Sequence, residues 1–136
     1  MNSSVDVDGG GRREARERAI ELAYEASIRS FTVEELIESL TVKPDPFAVQ
    51  LLTWSAQRQE ESDQRIEAKA KGWTLKRMPS LDVLVMRMAI AEMLEADTPT
   101  GVILSEATEL AGRYSTDDSG GFVNGVLAAI AEDLRT

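Results

Sequence analysis

From Arg12 to Leu134 the apolar residues return at intervals of three and four, and nowhere do they alternate with polar ones over the length of a strand. A period near 3.6 gathers such residues on one face of an α-helix, whereas a half-buried strand needs a period of two. An all-α fold is therefore expected, its helices separated by short segments rich in proline, glycine and capping side chains.

Residues 12–29 contain neither proline nor glycine and set Ala15, Ala19, Leu22, Ala23 and Ala26 on one face, which predicts a first helix. Thr32 and Glu35 stand at capping-box spacing ahead of Leu36, Ile37 and Leu40, so a short second helix follows. In the turn Lys43-Pro44-Asp45-Pro46, Asp45 is suited to cap and Pro46 to open a long third helix reaching about Lys71. Gly72 ends it, and Trp73, Leu75 and Met78 are expected to pack the connection to a helix begun by Pro79 and Ser80. That helix carries Leu81, Leu84, Val85, Met88, Met93 and Leu94, with Ala89 and Ala91 allowing close approach, and should be central. Residues 97–101 break it, a further helix spans Val102 to Tyr114, and the last runs from about Ser119 to Leu134.

With 136 residues and 43% hydrophobic content there is room for one core. The expectation is a compact single-domain helical bundle of about six or seven helices over residues 12–136, preceded by a disordered, glycine-rich tail at residues 1–11. No apolar run approaches the ~20 residues of a membrane span, and a cytoplasmic location is expected.

Cysteine and histidine are both absent, which removes disulfides, thiolate and imidazole metal ligands, cysteine nucleophiles and histidine bases. No phosphate-binding loop, nucleophile elbow or dinucleotide turn organises the remaining side chains, so neither catalysis nor a cofactor or metal is expected. Formal charge is −9, unevenly spread: residues 1–30 hold five basic and six acidic side chains, and residues 79–136 three basic against ten acidic.

At about 100° per residue, Arg12, Arg13 and Arg16 share one edge of the first helix, with Tyr24 near the same edge roughly 12 Å further along. Arginine forks onto phosphate and tyrosine offers a ring for an unpaired base, so this edge could grip single-stranded RNA. The same arginines, interleaved with glutamates, equally fit a solvated helix face. At the other end of the chain, Asp117, Asp118 and Ser119 can cap the last helix, whose open amides could alternatively meet a phosphate near Gly120 and Gly121. Val123, Val126, Leu127, Ile130 and Leu134 form its buried stripe, leaving Phe122 at the stripe's edge, while Asn124 and Gly125 suit helix packing.

Two segments, Ile103-Leu104-Ser105-Glu106-Ala107-Thr108-Glu109-Leu110-Ala111 and Thr116-Asp117-Asp118-Ser119-Gly120-Gly121-Phe122-Val123-Asn124-Gly125-Val126-Leu127, together resemble the C-terminal signature of the NusB family of bacterial transcription antitermination factors. The stretch from Arg12 to Tyr24 is similar to the family's N-terminal arginine-rich motif, and Ser80 to Glu92 resembles its central helix. The resemblance implies an all-α protein that binds boxA RNA of ribosomal RNA leaders, together with the ribosomal protein NusE, within the RNA polymerase antitermination complex. It implies RNA contacts at Arg12, Arg13, Arg16, Tyr24, Ser119 and Phe122, and puts Asp82, Arg87 and Glu92 on or near the NusE-facing surface. An acidic C-terminal part suits a basic ribosomal partner.

Glu14 and Glu17 interrupt the arginine run, Gly121 stands where the family often has a basic side chain, and Val83 follows Asp82 where another basic residue is common. Low free RNA affinity is expected from these departures. The alternative is a helical protein-interaction scaffold or homodimer whose RNA binding is weak or lost.

Overall fold

The computed structural model describes residues 10–135, with side chains from Arg12 onward. The expected tail at residues 1–11 lies outside them, except that Gly10 and Gly11 already belong to the first helix. Among the described residues seven α-helices follow in order: α1 Gly10–Arg29, α2 Val33–Ser39, α3 Pro46–Gln57, α4 Gln59–Lys69, α5 Ser80–Glu95, α6 Thr100–Tyr114 and α7 Ser119–Leu134, with a 3₁₀ turn at Leu75–Arg77. There is no strand among the described residues, in keeping with the all-α expectation. Two compact units divide between Thr53 and Trp54, so that α3 begins in the first and ends in the second.

In the first unit, the helix ends follow the local signals closely. Thr32 Oγ1 accepts from the Glu35 amide at 3.0 Å while Glu35 Oε1 accepts from the Thr32 amide at 2.8 Å, a complete capping box. Asp45 Oδ1 accepts from the Phe47 amide at 2.7 Å, with Pro46 opening α3. Ala15, Ala19, Leu22 and Ala26 are buried as their spacing predicts, and Ile20 joins them.

The expected long third helix is interrupted at Arg58, where φ is −102° and ψ 13°. Helical hydrogen bonding persists across the break, from Arg58 N to Trp54 O and from Ser62 N to Arg58 O. Neither proline nor glycine marks the position. What sets it apart is tertiary: Arg58 Nε donates to Glu95 Oε2 of α5 at 2.7 Å, with Glu61 a second partner. The hydrogen bond to Glu95, then its charge, holds the Arg58 guanidinium above its ordinary pKa.

In the second unit α5 is the buried element its composition predicts, with Val83, Val85, Met86, Met88, Ala89, Ile90, Ala91 and Met93 inside. It packs against α4, α6 and α7, and α6 with α7 forms the most extensive helix pair. Gly120 serves that pair. A Cβ there would meet the Thr108 carbonyl oxygen at 3.4 Å, so the missing side chain lets the two backbones approach. Arg135, just past α7, closes the turn between α5 and α6 by donating to the carbonyls of Met93, Ala96 and Thr98 and to Thr100 Oγ1. Gly72 holds φ at +83° after α4, a conformation that favours glycine.

Candidate nucleic-acid interface

The arginine edge of α1 is present but layered. Arg13 is exposed, and Arg12 is half-buried with its guanidinium carbon 4.0 Å from the centroid of the Phe47 ring. Arg16 is only 3% exposed, its guanidinium 5.4 Å from the same ring. The three arginines that helical phase sets on one edge thus differ in depth, and Phe47, at the first turn of α3, meets the guanidinium groups of Arg12 and Arg16. A guanidinium stacked on a ring keeps its charge and its fork of donors while its position is fixed. Tyr24 is exposed on the same helix, as expected. Arg18 pairs instead with Glu21 at 3.3 Å, an exposed contact of little energetic weight.

At the start of α7 the capping chemistry differs from expectation. Asp118 occupies the N-cap position without a side-chain cap hydrogen bond, and Asp117 is exposed. Ser119 does the work locally: it is 1% exposed, its Oγ accepts from the Thr116 amide at 3.1 Å and it shares a 2.8 Å hydrogen bond with Thr116 Oγ1. Its hydroxyl is thereby engaged inside the turn. Asn124 lies 3.3 Å from Thr108 Oγ1, whereas Gly125 faces open space and is not a close-packing glycine. Gly121 also faces open space.

Phe122 is half-buried at the edge of the α7 stripe, as its helical position predicts. Its neighbour was not foreseen. Trp73, expected to pack the connection after α4, is 48% exposed and lies with its ring 5.9 Å from that of Phe122, tilted by 50°. Both rings belong to the wall of a cavity of about 300 Å³ lined by Trp73, Pro79, Asp82, Thr116, Asp118, Ser119 and Phe122. The lining includes two carboxylates and no basic side chain.

The three α5 residues expected near a partner surface are placed differently from one another. Asp82 and Glu92 are each 2% exposed, so neither presents a free carboxylate on the surface; Glu92 is on the inner face of α5 and Asp82 is a wall of the cavity. Arg87 is partly exposed but engaged: its Nε and Nη2 donate to Asp63 Oδ1 and Oδ2 at 2.7 and 2.9 Å, a bidentate pair joining α5 to α4. The sequence held no local sign of Asp63 as partner, because the pairing depends on how two helices pack. Among the described residues no group of acidic side chains could hold a metal ion, and no helix is long and apolar enough to cross a membrane.

Comparison with known proteins places this architecture. The model of the NusB family matches residues 13–132. The transcription antitermination protein NusB of Thermobifida fusca (strain YX) is 41% identical over 128 residues, covering 90% of both chains. That of Leifsonia xyli subsp. xyli is 39% identical over 132 residues, covering 90% of this chain and 92% of the relative. Among solved structures, T. maritima NusB superposes with a TM-score of 0.80 at 30% identity over 92% of this chain and 93% of that one. A structure of antitermination factors NusB and NusE in complex with dsRNA superposes with a TM-score of 0.74 at 25% identity, covering 90% and 96%. The family model and the relatives both span nearly the whole chain, and it belongs to the NusB family of transcription factors.

Proposed function

We propose that this chain is a transcription antitermination factor that binds boxA RNA of ribosomal RNA leaders together with NusE and joins the RNA polymerase antitermination complex in the cytoplasm. The observation that carries the reading is the likeness, over nearly the whole chain, to a NusB solved with NusE and RNA. Residues 12–136 act as the binding module, and its chemistry is recognition without catalysis.

Arg12, held by Phe47, and exposed Arg13 supply phosphate contacts, and Tyr24 adds a ring on the same helix. Phe122 supplies a second ring at the start of α7, where Asp118 and Asp117 add like charge that opposes phosphate. Arg16 acts by supporting this edge from beneath. Arg87 and Glu92 act by holding α5 in place, so that NusE meets the surface they support. Titration of labelled boxA RNA with the protein, alone and with NusE across a salt series, tests the reading. Binding that strengthens with NusE and weakens with salt is expected. Absence of binding in both mixtures at low salt would leave the scaffold or homodimer alternative in its place.

A further inference from the structure

Arg12 is held by a ring and not by an acid. Among the described residues no carboxylate pairs with it, and its guanidinium carbon lies 4.0 Å from the centroid of the Phe47 ring. The far end of α1 is arranged differently. Arg29 also lies over a ring, that of Phe31 at 4.3 Å, but its Nη1 is 2.8 Å from Glu25 Oε2. A carboxylate that fixes an arginine also cancels its charge and occupies donors of its fork. A ring face fixes the guanidinium plane and leaves both the charge and the N–H groups available.

Phe47 is itself placed by the chain around it. Asp45 Oδ1 accepts from its amide at 2.7 Å and Pro46 opens the helix, so the ring is fixed at the first turn of α3, half-buried. Arg12 and Arg16 are four residues apart on α1, where like charges repel. Both guanidinium groups lie by this one ring, at 4.0 and 5.4 Å from its centroid. Its electron-rich face offsets that repulsion and carries no net charge of its own. A long side chain ordered in advance loses less conformational freedom when it meets a ligand. Resting on the RNA-binding reading above, we infer that Phe47 is a positioning residue for RNA: without touching the RNA, it raises affinity by holding the Arg12 guanidinium ready for phosphate.

The test is a double-mutant cycle on the full chain, titrating labelled boxA RNA with NusE present across a salt series, with thermal melts to show that each variant folds. Phe47→Leu keeps an apolar side chain but removes the ring face. It should weaken binding about fivefold and leave the salt slope as in the wild type, because no cation is lost. Arg12→Ala should flatten that slope by about 0.7–1, and adding Phe47→Leu to it should weaken binding no further. Phe47→Tyr, which restores a ring face, should bind as the wild type does. Equal binding by the wild type and Phe47→Leu would overturn the inference. So would an equal loss in the wild-type and Arg12→Ala backgrounds, which would make Phe47 a base-stacking ring or a general support. One readout needs no variant: by nitrogen NMR relaxation the Arg12 Nε–Hε group should be as ordered in the free wild type as in the RNA complex. An Arg12 head group that moves freely until RNA binds would contradict the inference. Failure of the wild type to bind boxA RNA, with or without NusE, would remove the RNA reading itself and the positioning role with it, whereas intact wild-type binding beside any of the contrary results removes only the role of Phe47.

Discussion

The starts of α1 and α7 both set charge beside aromatic rings, but with opposite sign. At α1 two guanidinium groups lie over Phe47; at α7 two carboxylates share a cavity with Trp73 and Phe122. The first arrangement offers attraction to any phosphate, which is strong at low salt and blind to sequence. The second repels phosphate and offers ring faces and carboxylate acceptors, chemistry that phosphate contacts do not supply. A net charge of −9 is thus compatible with RNA binding when phosphate attraction and ring contacts are assigned to separate regions.

Four substitutions probe that division, from the largest expected effect to the smallest. Arg16→Ala should act on stability: removing a side chain buried beneath the basic edge is expected to cost about 2–3 kcal/mol, read by denaturant unfolding. A stable variant with a shallower salt dependence would instead return Arg16 to the phosphate-facing set. Phe122→Ala should lose about 1–3 kcal/mol of RNA binding in a titration, with the salt slope unchanged, because a stacked ring releases no counterions. Were its melting temperature to fall with affinity intact, the ring would belong to the core alone.

Gly121→Lys should strengthen RNA binding several-fold. The position is exposed, a side chain there meets open space, and replacing a helical glycine adds roughly 0.5–1 kcal/mol of stability. Unchanged affinity would show that phosphate does not pass the start of α7. Asp118→Asn, which removes one like charge from a side chain making no cap hydrogen bond, should improve binding a few-fold at low salt and less at high salt. Weaker binding by a folded variant would mean that the carboxylate serves the RNA instead of opposing it.

The contrast between the two regions also marks how far the sequence could be read. Helix boundaries follow from residues close in the chain: the Thr32–Glu35 box, Asp45 before Pro46, Gly72 at positive φ, and Pro79 and Pro99 ahead of α5 and α6. The break at Arg58 lacks any such signal, since its distinguishing partner, Glu95, is on another helix. Family resemblance pointed to Arg12, Arg13, Arg16, Tyr24, Ser119 and Phe122, but it could not give depth, which ranges from exposed Arg13 and Tyr24 to buried Arg16 and Ser119. Helical phase puts Arg16 and Arg12 on one edge; that Arg16 is buried and Arg12 only half-buried depends on tertiary packing. Likewise Trp73, Asp82 and Phe122 come from three separate segments, so their shared cavity depends on tertiary packing and is invisible to periodicity. Asp63 was missed for the same reason, as the fork that fixes Arg87.

The division of labour is tested most directly by the salt dependence of boxA RNA affinity, measured with NusE present for the wild type, Arg13→Ala and Phe122→Ala. Arg13→Ala should flatten the slope of log K against log salt by about 0.7–1, and Phe122→Ala should lower affinity while leaving that slope as in the wild type. A slope unaltered by Arg13→Ala, or flattened equally by Phe122→Ala, would contradict the account.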